Sequence, residues 1–253
     1  MKYIESKKNE EIKQINKLNK TKEIKKAGTY LIEGFHLVRE ADQNGQDIVT
    51  ILATEKNQED RLVKKYYDDA IIISEDIASM LSDTKTPQGI FAVIKLNEDQ
   101  ELPELKGQWV ILANVQDPGN VGTIVRTADA AGYAGVITSL DTADIYQPKV
   151  QRSMQGSQFH LPIYRMDLQK AISDAKDAGL TVYGSEVNDQ AVPYNTLDKI
   201  DDYALIMGNE AHGLDENTLQ MTDQNIYIPL LGKAESLNVA VAAGVLMYGL
   251  KKF

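Results

Sequence analysis

The most informative segment of the sequence is Asn114-Val-Gln-Asp-Pro-Gly-Asn120-Val-Gly-Thr-Ile-Val-Arg126-Thr-Ala128. It follows the apolar run at 109–113, which predicts a strand buried on both faces. Asp-Pro-Gly in its middle favours a turn, and Asn120 is expected to be the N-cap of the next helix. The apolar stripe of that helix excludes Arg126. Free N–H groups at its N-terminus would suit an anion such as phosphate.

Upstream of this stretch, strands and helices alternate as in a small α/β layer structure. The Ile and Leu spacing predicts a helix over 8–26. Further helices are expected at 35–43, 57–67 and 75–81, and strands at 29–33, 48–53, 70–73 and 89–95. The acidic segment 97–107, which contains Pro103 and ends at Gly107, is typical of a linker.

Downstream, a second alternation predicts a parallel sheet with both faces covered. After 109–113, strands are expected at 134–138, 180–185, 203–207 and 225–228. The last helix, predicted over 235–253, is apolar almost all round. The domain prediction is therefore a small α/β domain at 1–97, a linker at 98–107 and a parallel-sheet domain at 108–253.

Composition excludes several classes of function. The 253 residues include no Cys, which removes disulfides and thiolate chemistry, and the three histidines lack metal-ligand spacing, so no metal is expected. No signal peptide and no apolar run of about 20 residues is present, so we expect a cytoplasmic protein without a membrane partner. The net charge is −10, yet residues 1–26 carry nine Lys against four Glu. That basic end is either a solvated helix or a surface for a polyanion.

Two more loops follow predicted strands. One, at 205–214, is rich in Gly and holds Glu210; the other, at 228–240, leads through Ser236 or Asn238 into the last helix. Ligands of α/β proteins bind at the carboxyl ends of parallel strands, so the three loops are predicted to form one site. Each loop alone also fits an ordinary turn or helix cap. No G-x-G-x-x-G and no P-loop motif is present.

In their order and spacing, the three loops resemble the motifs of the SpoU (TrmH-like) family of RNA 2′-O-ribose methyltransferases, within the SPOUT superfamily. Residues 146–156 also resemble the family's helix after the second strand. Residues 30–38 resemble its substrate-binding domain, which is similar in fold to ribosomal protein L30e. The resemblance implies a SPOUT domain with a deep trefoil knot, S-adenosyl-L-methionine as cofactor, and a homodimer formed through the C-terminal domain.

The resemblance also implies roles for individual residues. The catalytic set is Arg126, Asn114, Glu210, Ser236 and Asn238. The cofactor is expected to contact Gly208, Asn209, Ile228, Leu237 and Gly184. The RNA is expected to contact Asn120, Lys149, Arg152, Lys25 and Lys26.

The implied reaction is methylation of a ribose 2′-hydroxyl, with ribosomal RNA as the expected substrate and transfer RNA as the alternative. Arg126 acts either as the base, transiently deprotonated beside an RNA phosphate, or as a clamp on phosphate and developing alkoxide, since guanidinium stays protonated near neutral pH. Two other hypotheses remain. One is a non-catalytic RNA-binding factor, for example in ribosome assembly, and the other is an unrelated α/β enzyme.

Overall fold

The computed structural model describes residues 1–97 and 101–252, and these divide into two compact units. The first contains the described residues before 100 together with Asp144–Phe159. The second contains residues 101–143 and 160–252. Part of the predicted linker, 98–100, lies outside the described residues. Its remainder includes Leu105, which is buried and packs with Trp109 in the core of the second unit.

The first unit is built on a mixed five-stranded sheet in the order β1-β4-β3-β5-β2. β4 pairs in parallel with β1 and β3, and β5 pairs antiparallel with β2 and β3. The strands are β1 (Lys2–Ile4), β2 (Thr29–Glu33), β3 (Ile48–Thr54), β4 (Ala70–Ile73) and β5 (Ile90–Lys95). Four of the five were predicted; β1, with only three residues, was not.

The helix predicted over 8–26 is two helices, α1 (Glu10–Lys17) and α2 (Thr21–Ala27). On one continuous helix, Ile24 would point about 120° away from Leu18. The break at 18–20 lets both side chains reach the core, where Leu18 is 5% and Ile24 1% exposed. The remaining helices of this part are α3 (Phe35–Gln43), α4 (Arg61–Lys65) and α5 (Glu75–Leu81).

The helix expected at 57–67 is also shorter than predicted. Asp60 accepts a hydrogen bond from the Leu62 N–H and so starts α4 at residue 61. Asn57 instead donates to the carbonyls of Gln88 and Gly89, which ties it to the loop before β5. Short 3₁₀ turns at Glu55–Asn57 and Tyr67–Asp69 flank α4.

The second unit confirms the predicted parallel sheet. Its seven strands follow the order β10-β12-β9-β11-β6-β7-β8, and every pairing is parallel. The strands are β6 (Gln108–Leu112), β7 (Gly135–Thr138), β8 (Ile163–Arg165), β9 (Thr181–Ser185), β10 (Val192–Pro193), β11 (Tyr203–Met207) and β12 (Gln224–Tyr227). The central strands β6 and β11 are almost entirely buried, as their apolar sequences predict.

Four helices belong to the second unit: α6 (Pro118–Ala130), α8 (Leu168–Asp177), α9 (Glu216–Met221) and α10 (Val239–Leu250). The last helix begins four residues later than predicted, because the Asn238 side chain accepts from the N–H groups of Ala240 and Val241 and is therefore its N-cap. α10 packs against α6 and is anchored at its end by Tyr133, whose hydroxyl donates to the Met247 carbonyl at 3.2 Å. The knot stays a prediction, and residue 253 lies outside the described part.

The segment Asp144–Phe159 packs with the first unit, although it lies in the range predicted for the second domain. It carries α7 (Pro148–Met154), which contacts β2, and Tyr146, whose ring centroid lies 4.8 Å from that of Tyr30. Among the described residues, no helix is both long and apolar enough to cross a membrane.

Candidate active site

The three predicted loops meet at the carboxyl ends of β6, β11 and β12. The second and third loops border a cavity of about 420 Å³, while the first loop is hydrogen-bonded to both of them. Six predicted residues line this cavity: Gly208, Asn209, Glu210, Ile228, Ser236 and Leu237. Gly184 does not line it. A side chain at that position would meet Asn225 Oδ1 at 2.6 Å, so this glycine is required by packing within the sheet.

Asn114 holds the first loop in an unusual backbone conformation. Its φ is +59°, a left-handed value that Asn tolerates better than most residues. Its N–H donates to Ser139 Oγ at 3.0 Å, and its carbonyl accepts from Asn209 Nδ2 at 2.9 Å. Its Oδ1 accepts from Gln116 Nε2 at 3.1 Å. Asn114 therefore joins the first loop to the second.

Glu210 makes the second connection between these loops. Its carboxylate accepts from the N–H of Gln116 at 3.1 Å, the N–H of Asp117 at 3.0 Å and Asn120 Nδ2 at 3.0 Å. Burial raises the pKa of Glu210, but these hydrogen bonds, led by that of Asn120, outweigh burial and hold the pKa below its ordinary value. A carboxylate so engaged is suited to positioning and poorly suited to accepting a proton.

Asn120 is not the N-cap of α6, contrary to prediction. Asp117 is the cap and accepts from the Asn120 N–H at 3.0 Å, since Pro118 fits the first helical position. Asn120 lies in the first turn, donating to Glu210 and accepting from Asn238 Nδ2 at 3.0 Å. Asn238 in turn caps α10. One chain of hydrogen bonds therefore links all three loops.

This network also bears on the prediction that free N–H groups at the N-terminus of α6 bind a phosphate. The N–H groups of Gln116 and Asp117 are bound by Glu210, and that of Asn120 is bound by Asp117. Carboxylates of the chain itself therefore take up three of the N–H groups that were expected to bind an anion.

The two glycines of the second loop serve the protein backbone more than a ligand. A Cβ on Gly208 would stand 2.5 Å from the Gly213 carbonyl carbon. Gly213, with φ +64°, leaves no room for a Cβ beside Glu186 Oε2. Both allow the loop to fold back on itself, with Asn209 and Gly213 exchanging backbone hydrogen bonds of 3.0 Å.

Arg126 lies on the exposed side of α6 and is not among the residues that line the cavity. Within the described part of the chain its guanidinium has no hydrogen bond or ion pair. Its charge is therefore available to an external anion.

The predicted RNA contacts have different environments. Arg152 is ion-paired with Asp83, with side-chain exposures of 33% and 38%, so its charge is already compensated. Lys149 is exposed on α7. Lys25 and Lys26 are exposed on α2, and neither forms an ion pair with a described residue.

Two residues of the site were not predicted. Asp117 could have been identified, because Asp before Pro is a common helix start. Glu186 lines the cavity directly after β9. Its position at the carboxyl end of a strand was the available signal.

The cavity fits S-adenosyl-L-methionine in chemistry and size. Its volume of about 420 Å³ lies in the usual range for small-molecule sites. Met207, Ile226 and Ile228 offer apolar walls for an adenine, while backbone groups of the loops offer polar contacts. No group of three or more His, Asp or Glu that could hold a metal ion occurs in the described ranges.

Comparison with known proteins assigns the family. Residues 107–248 match the model of the SpoU rRNA Methylase family, and residues 9–92 match the MRM3-like substrate binding domain. The chain belongs to the SpoU rRNA methylase family. A relative from Bacillus subtilis (strain 168), the 23S rRNA (guanosine(2553)-2′-O)-methyltransferase RlmP, is 42% identical over 99% of this chain and all of that protein.

Solved structures are similar over nearly the whole chain. An AdoMet-bound rRNA methyltransferase from Sinorhizobium meliloti superposes with a TM-score of 0.89 at 29% identity, covering 98% of this chain and 96% of that one. The SpoU methyltransferase AviRb from Streptomyces viridochromogenes, in complex with AdoMet, gives 0.86 at 26% identity, covering 96% and 97%. The resemblance seen in the three sequence motifs is thus confirmed.

Proposed function

We propose that this chain transfers a methyl group from S-adenosyl-L-methionine to a ribose 2′-hydroxyl of ribosomal RNA, and that its target is a guanosine of 23S rRNA. The observation that carries the proposal is the hydrogen-bond chain Asn209–Asn114 and Glu210–Asn120–Asn238, which ties the first loop to the two loops that line the cavity. The full-length similarity to RlmP supports the substrate.

The cavity between the second and third loops would hold the cofactor. Gly208, Ile228 and Leu237 border it from β11, β12 and the segment before α10. Bound there, S-adenosyl-L-methionine supplies an electrophilic methyl group. Ser236, exposed on the same wall, faces the incoming ribose. Holding both reactants in line is the main contribution of such a rigid site.

Arg126 handles the RNA. Its exposed, uncompensated guanidinium would bind a phosphate of the target nucleotide and stabilise negative charge on the attacking oxygen, while the proton of the 2′-hydroxyl is released to solvent water. Asn114, Asn120, Glu210 and Asn238 are positioning residues, since their side chains are hydrogen-bonded to one another, to backbone or, for Asn114, to the Gln116 side chain.

The homodimer is supported by two large, partly exposed hydrophobic side chains on α10. Val241 and Tyr248 are 53% and 45% exposed and lie seven residues apart, on one side of the helix. Leu231, almost fully exposed, lies on the loop that leads to this helix. A second copy of the chain, packed through the C-terminal domain, would bury this surface. Light scattering at micromolar concentration should give twice the chain mass.

RNA binding is expected to use the exposed Lys25 and Lys26, with Lys149 as a further contact. Arg152 makes a smaller contribution because Asp83 compensates its charge. Contacts of this kind to phosphates make affinity fall steeply with salt.

The decisive experiment combines calorimetry with transfer of a labelled methyl group. The protein should bind S-adenosyl-L-methionine and label 23S rRNA at an alkali-resistant, hence 2′-O-methylated, linkage. Labelling of transfer RNA in place of 23S rRNA would identify transfer RNA as the substrate. Binding of RNA without binding of the cofactor would identify a non-catalytic RNA-binding factor.

A further inference from the structure

The cavity contains a second acidic residue, Glu186, which follows β9 directly. β9 lies beside β11 in the sheet, so the ends of these neighbouring strands open on the same side of the cavity. Glu186 is half-buried there and borders the cavity together with Gly208 and Ile228.

The backbone fixes the orientation of this carboxylate. Its Oε2 accepts from the Leu214 N–H at 2.9 Å and its Oε1 from the Val187 N–H at 3.1 Å. Gly213 packs so closely against Oε2 that only glycine fits there. The two oxygens are therefore held in place rather than swinging freely into solvent.

Glu186 keeps acceptor capacity that Glu210 has lost. Each of its oxygens accepts one hydrogen bond and can accept a second, because an ionised carboxylate has about four acceptor positions. No Lys, Arg or His of the described ranges pairs with it. A fixed carboxylate without a cationic partner, at the wall of a ligand cavity, is suited to binding hydrogen-bond donors of the ligand.

We infer that Glu186 recognises the ribose of the cofactor by accepting hydrogen bonds from its 2′- and 3′-hydroxyls. This inference rests on the proposed cofactor site. A vicinal diol offers two donors that match two adjacent, fixed acceptors, and acidic side chains recognise ribose hydroxyls in this way in dinucleotide-binding folds. The methionine ammonium and the adenine amino group are the other donors of the cofactor, but neither requires two adjacent oxygens in a fixed plane.

The test compares ligands that differ only in the ribose. Calorimetry measures binding of 5′-methylthioadenosine and of its 2′-deoxy and 3′-deoxy forms to the full chain, to Glu186→Gln and to Glu186→Ala. The wild type should prefer the ribose form by about 10- to 100-fold, as expected for hydrogen bonds to a charged group. In Glu186→Ala the ratio of the affinities for the ribose and deoxyribose ligands should fall to about one. Glu186→Gln should give an intermediate ratio.

A matched control is Asp189→Asn, which removes an exposed carboxylate three residues along the same loop and should keep the wild-type ratio. Equal losses for ribose and deoxyribose ligands in the Glu186 variants would mean that Glu186 only holds the Gly213 loop, and would overturn the inference. Loss of S-adenosylhomocysteine binding with unchanged 5′-methylthioadenosine binding would assign Glu186 to the ammonium and overturn it as well.

The wild-type comparison stands even if both variants fail to fold. A wild type that binds deoxyribose forms as tightly as ribose forms refutes recognition of the hydroxyls. A wild type that does not bind S-adenosylhomocysteine at all contradicts the proposed function, and the inference falls with it.

Discussion

Replacement of Glu210 by alanine tests whether this carboxylate positions the site or takes part in the chemistry. The change leaves the N–H groups of Gln116 and Asp117 and the Asn120 amide without their acceptor. Each hydrogen bond contributes about 1 kcal/mol to the free energy of unfolding. Because the Glu210 side chain is exposed, loss of all three should lower that free energy by about 2–3 kcal/mol at most. At about 2–4 °C per kcal/mol for a chain of this size, Tm should fall by about 4–12 °C.

The difference in Tm between the wild type and Glu210→Ala should depend on pH in a definite direction. The folded-state pKa of Glu210 lies below its ordinary value, so its stabilisation is complete above the ordinary carboxyl pKa of about 4.3. It is lost as pH falls through the lowered pKa. Melting curves of wild type and Glu210→Ala should therefore differ by a constant amount near neutral pH and converge in acid.

The assay is calorimetric melting together with cofactor titration, and Glu216→Ala is the control. Glu216 is an exposed carboxylate of the same unit, and it holds no loop by hydrogen bonds as Glu210 does. Its removal should change the free energy of unfolding by less than about 0.5 kcal/mol. A Glu210→Gln variant with wild-type Tm and cofactor affinity but no methyl transfer would contradict a positioning role, because the carboxylate would then act chemically.

Three further outcomes are expected. Arg126→Ala should nearly abolish methyl transfer while cofactor affinity, measured by calorimetry, changes little, because Arg126 does not line the cavity. Tyr133→Phe should cost about 1–2 kcal/mol in denaturant unfolding, since it removes a buried hydroxyl that bonds to Tyr203 at 2.7 Å. The double variant Lys25→Gln, Lys26→Gln should weaken RNA binding and lower the slope of log K against log salt by about 1.4–1.8, at about 0.7–0.9 per phosphate contact.

Matched controls separate these effects from general damage. Lys170→Ala removes an exposed, ion-paired cation on α8 and should keep transfer. Tyr67→Phe alters an exposed hydroxyl and should leave the free energy of unfolding unchanged. Lys56→Gln with Lys64→Gln removes two ion-paired charges and should keep the salt slope. An active Arg126→Ala enzyme, a neutral Tyr133→Phe or an unchanged slope for the Lys25 and Lys26 variant would each contradict its prediction.

The sheet of the second unit was readable from the sequence because its central strands are continuous apolar runs. The three short strands β1, β8 and β10 were not, since two or three residues carry no periodicity. The cap of α6 was assigned to the wrong residue. Asp117 and Asn120 both suit a cap, and Pro118 decided between them.

Contacts between distant residues account for the rest. Glu210 binds Asp117 across 93 positions of sequence, and Arg152 meets Asp83 across 69. The spacing of residues within a motif predicts neither of these two contacts. The sequence therefore predicted that the three loops come together, while the hydrogen-bond partners of Glu210 and the ion pair of Arg152 required the structure.

A map of ribose methylation in total RNA from cells with and without the gene tests methyl transfer to 23S rRNA. One 2′-O-methylated guanosine of 23S rRNA should disappear when the gene is removed and return with the wild-type chain but not with Arg126→Ala. An unchanged map of ribosomal RNA, or a lost methyl group that lies on a base, would contradict it.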